Sequence, residues 1–219
     1  MRTALALPLL AACAARGGLE EGQVAAWQVA WPEGARPGMF LTWRTERDRA
    51  RDDDVVEETD ACVAPGTMEW RETRRDGATT VTAARYAADG TLLGAWRGPE
   101  GGVGTPIEVV DRRVDVAEAA AEADRLGGPL GLSTKSARAV RETAVEEIET
   151  PAGRFRCFRD TVRMSLLVTS GSMTAWVAER PVLFTRLVRL EMRGPFSFYE
   201  REELVACGAS GAAPTLRPP

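Results

Sequence analysis

From Gln23 onward apolar and polar residues tend to alternate. Ala25, Trp27, Val29 and Trp31 fall on one side of an extended segment, and Met39, Leu41 and Trp43 on one side of the next. A two-residue period marks a β-strand with one buried face. A polar run, Arg47 to Asp54, separates these from a weaker strand around Val55 and Val56. Further strands are predicted over Thr67–Arg75, with Met68 and Trp70 on one side, then over Ala78–Tyr86 and Thr91–Arg97. The links Pro65-Gly66, Asp76-Gly77 and Asp89-Gly90 are turn dipeptides. Asp-Gly between alternating runs specifies a tight hairpin. This half reads as an antiparallel meander.

The middle of the chain changes period. Asp115 is a helix cap, Glu118 follows at capping-box spacing, and Gly127 ends an alanine-rich run from Val116 to Leu126. A glycine-rich stretch, Gly127 to Gly131, reads as a crossover between two sheet halves. Alternation then returns over Ala137–Ile148, Arg154–Val168, Met173–Ala178, Val182–Met192 and Phe196–Cys207, with a Pro151-Ala152-Gly153 turn inside the first pair. The expected class is α+β, mainly β: a curved, half-barrel-like antiparallel sheet of about ten strands with one principal helix, since sheets of that size do not stay flat. The expected organisation is a signal peptide over 1–12, a lipidated cysteine and tether over 13–22, a single β-rich domain over 23–207, and a disordered tail over 208–219 with small, proline-bearing composition.

The first residues carry an address. Met1-Arg2 is a short positive region, Thr3 to Ala12 is apolar, and small residues precede Cys13. The apolar run is about ten residues, roughly half of a bilayer span, and so reads as a removable export signal. Leu10-Ala11-Ala12-Cys13 resembles the lipobox of bacterial lipoproteins. The resemblance implies that Cys13 is lipidated, becomes the first residue of the mature protein and is its membrane anchor. Ala14 follows, with no Asp at that retention position, which implies the periplasmic face of the outer membrane in a host with two membranes.

A second resemblance lies in residues 140–207. Pro151-Ala152-Gly153-Arg154-Phe155, the strand Thr174-Ala175-Trp176-Val177, and Glu203-Leu204-Val205 are similar to a pattern in bacterial envelope proteins related to the curved half-barrels of the lipoprotein-carrier (LolA/LolB-like) type. That resemblance implies a concave sheet face covered by a helix and suited to apolar ligands. It transfers no functional residue.

Composition narrows the chemistry. The chain has 219 residues, 44% hydrophobic and 27% charged, as expected of a globular domain. It contains no histidine, which removes histidine general bases, Ser-His-Asp and Cys-His pairs, and most zinc, copper and iron sites. With 28 basic and 32 acidic residues the net charge is −4, so no nucleic-acid partner is expected. Ser133-Thr134-Lys135 holds the one lysine but lacks the Ser-x-x-Lys spacing. Gly98 to Gly104 lacks the phosphate-loop Lys-Ser/Thr and reads as a surface loop. Asp52-Asp53-Asp54 lacks the spaced ligands of a calcium loop. No catalytic residue, metal ligand or cofactor is nominated.

Beyond Cys13 three cysteines remain, Cys62, Cys157 and Cys207. In a meander, Cys157 and Cys207 sit at the same end of the sheet, three strands apart. At ~4.8 Å per strand that is roughly 14 Å when flat, beyond the ~7 Å limit between bonded Cα atoms. The candidate disulfide is therefore Cys62 with Cys157 or Cys207, the alternative being three unbonded thiols. Trp27, Trp31, Trp43, Trp70 and Trp176 are candidate ligand-facing aromatics, with Trp96 a further strand tryptophan, although a sheet core also accounts for them. The arginines Arg186, Arg189, Arg193 and Arg201, mixed with Glu191, Glu200, Glu202 and Glu203, read as a solvated, charge-balanced strand face.

The expected function is a non-enzymatic binding or interaction role at the cell envelope, for an apolar ligand or an envelope protein, with the membrane engaged through Cys13. The alternatives are a hydrolase using carboxylates or serine on the same scaffold, and a purely structural lipoprotein.

Overall fold

The structure, a computed structural model, describes residues 22–48, 50–110, 138–166, 169–194 and 199–219. Within them lie thirteen strands: β1 (Gln23–Ala25), β2 (Phe40–Arg47), β3 (Val55–Ala64), β4 (Thr67–Arg74), β5 (Thr79–Tyr86), β6 (Leu92–Pro99), β7 (Thr105–Pro106), β8 (Glu108–Val110), β9 (Arg138–Thr150), β10 (Gly153–Leu166), β11 (Thr169–Val182), β12 (Thr185–Arg193) and β13 (Tyr199–Gly208). Eleven form one sheet in the order β7-β6-β5-β4-β3-β2-β13-β12-β11-β10-β9. Every neighbouring pair in it is antiparallel. Two meanders are thus joined where the last strand pairs with the first long one. The sheet curls: β9 touches β13, although three strands separate them in the order.

The hairpins form where the turn chemistry places them. Asp76 accepts the Ala78 amide and Asp89 the Thr91 amide, each at 2.9 Å, closing the two Asp-Gly turns. Gly66 adopts φ +67°, and a Cβ there would stand 2.6 Å from the Tyr86 carbonyl oxygen, so no other residue fits that turn unstrained.

Several expectations are corrected. The predicted helix over Val116–Leu126 lies outside the described residues, where the one helical segment is a single 3-10 turn, Ala26–Val29. The predicted strand over Ala25–Trp31 is not one. Only Gln23–Ala25 forms a strand there, pairing in parallel with β8 outside the main sheet. From there the chain crosses the sheet face, burying Val24 and Val29 and stacking Trp31 edge-on against Tyr86 at 5.4 Å. The predicted single strand Val182–Met192 is broken at its start by the Leu183-Phe184 turn, where Leu183 takes φ +57°.

The tail expected to be disordered is docked. Leu216 is 3% exposed and seated against Val81, Ala83 and Trp96 on the back of the sheet. Its neighbours lie along the Gly98 to Gly104 loop, with Gly101 and Gly104 donating their amides to the Thr215 and Arg217 carbonyls. Composition misleads here because one apolar side chain and a few backbone hydrogen bonds are enough to hold a short segment on a preformed surface.

Two larger clusters complete the core. Cys62, Met68, Ala84, Tyr86 and Ala95 lie under Val24 and Val29 in the first meander. Leu41, Trp43, Ile148, Cys157, Trp176, Val188 and Leu204 join β2 to the second.

Candidate functional site

Strand register builds a groove on the face that the Gln23–Val29 segment partly crosses. Because side chains alternate, each second residue of β3 starts a ladder of neighbours across the sheet. The first ladder is apolar and buried: Cys62, Met68, Ala84 and Ala95. The second runs Asp60, Trp70, Thr82, Arg97 and Thr105. The third runs Glu58, Glu72 and Thr80. The second and third ladders form the floor of an open groove of about 980 Å³, walled by Val24, Val29 and Ile107. The segment over the first ladder closes one end and leaves the other open.

Charge in the groove is partly balanced. Arg97 donates to Glu72 at 2.9 Å. Asp60 differs. Its Oδ2 accepts the Trp43 indole N–H at 3.1 Å, while its Oδ1 is buried and meets no hydrogen-bond donor among the described residues. Burial pushes the Asp60 carboxyl up to about 6, the Trp43 N–H opposes this, Glu202 on β13 adds to the rise, and a hydrogen bond with Glu58 lowers it. A carboxyl held near neutrality beside a second one, in a groove with an aromatic floor, can accept a donor-bearing ligand or exchange a proton with it.

A second hollow of about 430 Å³ lies by Arg44, Thr45, Glu46, Arg47, Val56, Glu57 and Arg75. Its Arg47 is already held, to Glu200 at 2.6 Å and to Asp54 at 2.8 Å. The aspartate run Asp52 to Asp54 is part of that pairing, with Asp54 also accepting the Arg51 amide. Among the described residues no group of three or more Cys, Asp and Glu side chains is arranged to hold a metal ion.

Of the candidate ligand-facing tryptophans, Trp70 lines the groove. Trp43 and Trp176 are buried in the second cluster, with the Trp176 indole donating to Glu146. Trp31 packs on Tyr86, and Trp27 lies in the 3-10 turn. Trp96 is on the back face against Leu216. Cys13 and the Ser133 to Lys135 segment lie outside the described residues.

The candidate disulfide is corrected: Cys62, Cys157 and Cys207 are all free. Cys62 belongs to the first apolar cluster, whereas Cys157 belongs to the second and Cys207 packs against it, which separates Cys62 from both proposed partners. The arginine face is corrected too. The Arg189 and Glu203 side chains are only 15% and 13% exposed and are linked at 3.0 Å, with Arg201 on the same carboxylate. The curl of the sheet draws Arg189, Arg201 and Glu203 into a partly buried network, while Arg186 and Arg193 stay on the exposed surface as expected.

Sequence reasoning passed over Asp60 and Glu58. Their signal was the period itself, since both share a strand face with the buried Cys62.

No family model matches the chain, and no curated protein matches it. Solved structures to which it is similar include the following two. One, from Bacteroides fragilis, is described as an exported protein with a YmcC-like fold, at 14% identity and a TM-score of 0.34, covering 82% of this chain and 99% of that one. The other, from Parabacteroides distasonis, is described as a lipoprotein, at 10% identity and a TM-score of 0.31, with the same coverage of 82% and 99%. The functional reading rests on the groove and the N-terminal sequence.

Proposed function

We propose that this chain is an exported envelope protein, lipid-anchored through Cys13, that binds a ligand in the groove floored by β3 to β6. The observation that carries the binding role is the open groove of about 980 Å³ with a buried carboxylate oxygen on its floor that no donor satisfies. Such a volume suits a small-molecule ligand, and a few placed polar groups in a partly apolar wall are what such sites use for orientation. The lining is more polar than a site for a purely apolar ligand, which points to an amphipathic one. The anchor rests on the Leu10-Ala11-Ala12-Cys13 motif, and Ala14, with no Asp at that position, supports the periplasmic face of the outer membrane where the host has two membranes.

The competing hydrolase reading draws on one observation, the raised Asp60 carboxyl beside Glu58. Glycosidase pairs stand roughly 5 Å apart or more to leave room for the sugar or a water, whereas these two carboxyls hydrogen-bond to each other. That geometry favours binding.

The test has two arms. Wild type and Cys13→Ala are expressed in a bacterial host and compared by intact mass and membrane fractionation. A lipid-sized mass increment and membrane retention, both lost in Cys13→Ala, are expected; a soluble protein with unmodified Cys13 overturns the anchor. Native mass spectrometry of protein extracted from the envelope then compares wild type with Thr82→Trp, which fills the groove floor. A non-covalent mass lost in the variant is expected, and bare protein throughout overturns the binding role.

A further inference from the structure

β7 and β9 are the two edges of the eleven-stranded order, and the N-terminal chain joins the described fold beside the first of them. The Gly22 carbonyl accepts the Glu108 amide at 3.1 Å, and the Ile107 amide donates to the Ala95 carbonyl on β6 at 3.0 Å. Eight residues separate Cys13 from Gly22. Fully extended, that span is about 30 Å, so an acylated Cys13 keeps this edge close to the bilayer whatever path the chain takes.

The same edge bears the two most exposed large apolar side chains among the described residues, Leu93 at 58% and Val103 at 55%. Leu93 lies two residues before Ala95 on β6, and Val103 lies past the other end of β6, its carbonyl close over Gly98. The entry point of the chain therefore falls between them along β6. A single exposed apolar residue is ordinary, but each of these has a cation beside it. Arg85 is exposed and sits opposite Gly94 in register, next to Leu93. Arg217 is exposed and bridges to Val103. The acidic neighbours are engaged: Glu100 pairs with Arg71 at 3.1 Å, Glu108 accepts the Gln23 side-chain amide at 3.2 Å, and Asp89 accepts the Thr91 amide at 2.9 Å. Apolar side chains flanked by arginines suit a phospholipid interface, where the first enter the acyl boundary and the guanidinium fork pairs with phosphate oxygens.

We propose that the β6–β7 edge is a membrane-facing surface. Leu93 and Val103 enter the headgroup boundary of the bilayer that carries the anchor, and Arg85 and Arg217 donate to its lipid phosphates. This goes beyond the ligand-binding reading and rests only on the Cys13 anchor. Val145 is nearly as exposed, at 50%, but stands on the opposite edge strand β9 and is the internal control.

The experiment expresses the full chain in a bacterial host with the photocrosslinker benzoylphenylalanine at position 93, 103 or 145. Intact mass first establishes acylation, and the protein is then reconstituted in vesicles of phosphatidylethanolamine and phosphatidylglycerol in equal parts. Illumination is expected to add the mass of a phospholipid at 93 and 103 and none at 145. Arg85→Glu with Arg217→Glu is expected to lower that yield several-fold while acylation and the circular dichroism spectrum stay as in wild type. Acylated protein that crosslinks to lipid at none of the positions, or at 145 as much as at 93 and 103, overturns the membrane-facing edge. A yield unchanged by the charge reversal overturns the part given to the arginines. A chain with no acyl mass refutes the anchor itself, and the membrane-facing edge falls with it.

Discussion

Glu69 holds Leu216. The carboxylate, 3% exposed on the back of β4, accepts the Leu216 amide at 3.1 Å, the Thr215 amide at 2.9 Å and the Thr215 hydroxyl at 2.8 Å. An anion that would otherwise be costly to bury is thereby satisfied by backbone far away in sequence, and the last residues of the chain are fastened to the sheet.

Glu69→Ala is therefore expected to release the tail and to lower stability by about 2–3 kcal/mol, the cost of losing hydrogen bonds to a charged group. Glu69→Gln keeps one acceptor and should fall between. Carboxypeptidase digestion and thermal melts check this, and a tail in Glu69→Ala as protected as in wild type would sink it.

The pH dependence of stability carries a second expectation. The Asp60 carboxyl sits at about 6 in the folded chain against an ordinary 3.8, so the folded state binds the extra proton between those values. Stability therefore falls as pH rises from about 4 to about 6 and is level above, by on the order of 2–3 kcal/mol. Asp54 and Asp89 are held below their ordinary range, chiefly by the backbone amides of Arg51 and Thr91, so their contribution is lost only on further acidification. Urea melts of wild type and Asp60→Asn at pH 4.5, 6 and 8 check the sign. The variant is expected to be flatter and the more stable of the two at pH 8; equal slopes would refute the burial of that charge.

The thiols give a third. Burial pushes Cys62 and Cys157 up, so little thiolate is present at neutral pH, and Cys207 is only half-buried. Iodoacetamide should label Cys207 first in the native protein and all three after unfolding without reductant. Mass spectrometry that finds only one labelled residue after unfolding would restore the disulfide.

These relationships differ in how far the sequence foretold them. The β4 to β6 hairpins were legible because Asp76-Gly77 and Asp89-Gly90 specify turns locally and alternation does the rest, whereas β3 was read only around Val55 and Val56 and in fact runs on to Ala64. The pairing of β13 with β2 was not, since nothing near Trp43 names Leu204 as its neighbour. Ala25 to Trp31 alternates like a strand, yet it crosses the face as a 3-10 turn, because Val24 and Val29 gain more by covering Met68 and Ala84 than by extending an edge. Glu69 and Asp60 were passed over for one reason. An acidic residue on a strand reads as solvent-facing, and only register reveals that one meets two backbone amides and the other an indole.

The last expectation concerns the curled second meander. Arg189 on β12 donates to Glu203 on β13 and, at 3.0 Å, to the Glu149 carbonyl on the edge strand β9, while its guanidinium lies 5.5 Å from the Trp176 ring centre. One side chain thus spans from the strand beside it to the far edge, which is possible only because the sheet curls. Arg189→Met is expected to cost about 3 kcal/mol, since Glu203 then keeps only Arg201 and the edge carbonyl loses its donor. Arg189→Lys should recover little, because a single ammonium cannot reproduce the planar fork that reaches both strands. Adding Glu203→Leu to Arg189→Met removes the stranded anion but strands Arg201 in turn, so the double variant should regain only part of the loss. Amide exchange locates the effect: β9 is expected to lose protection before β2 to β6. Uniform loss across the sheet would show that Arg189 serves overall stability and not the closure of the curl.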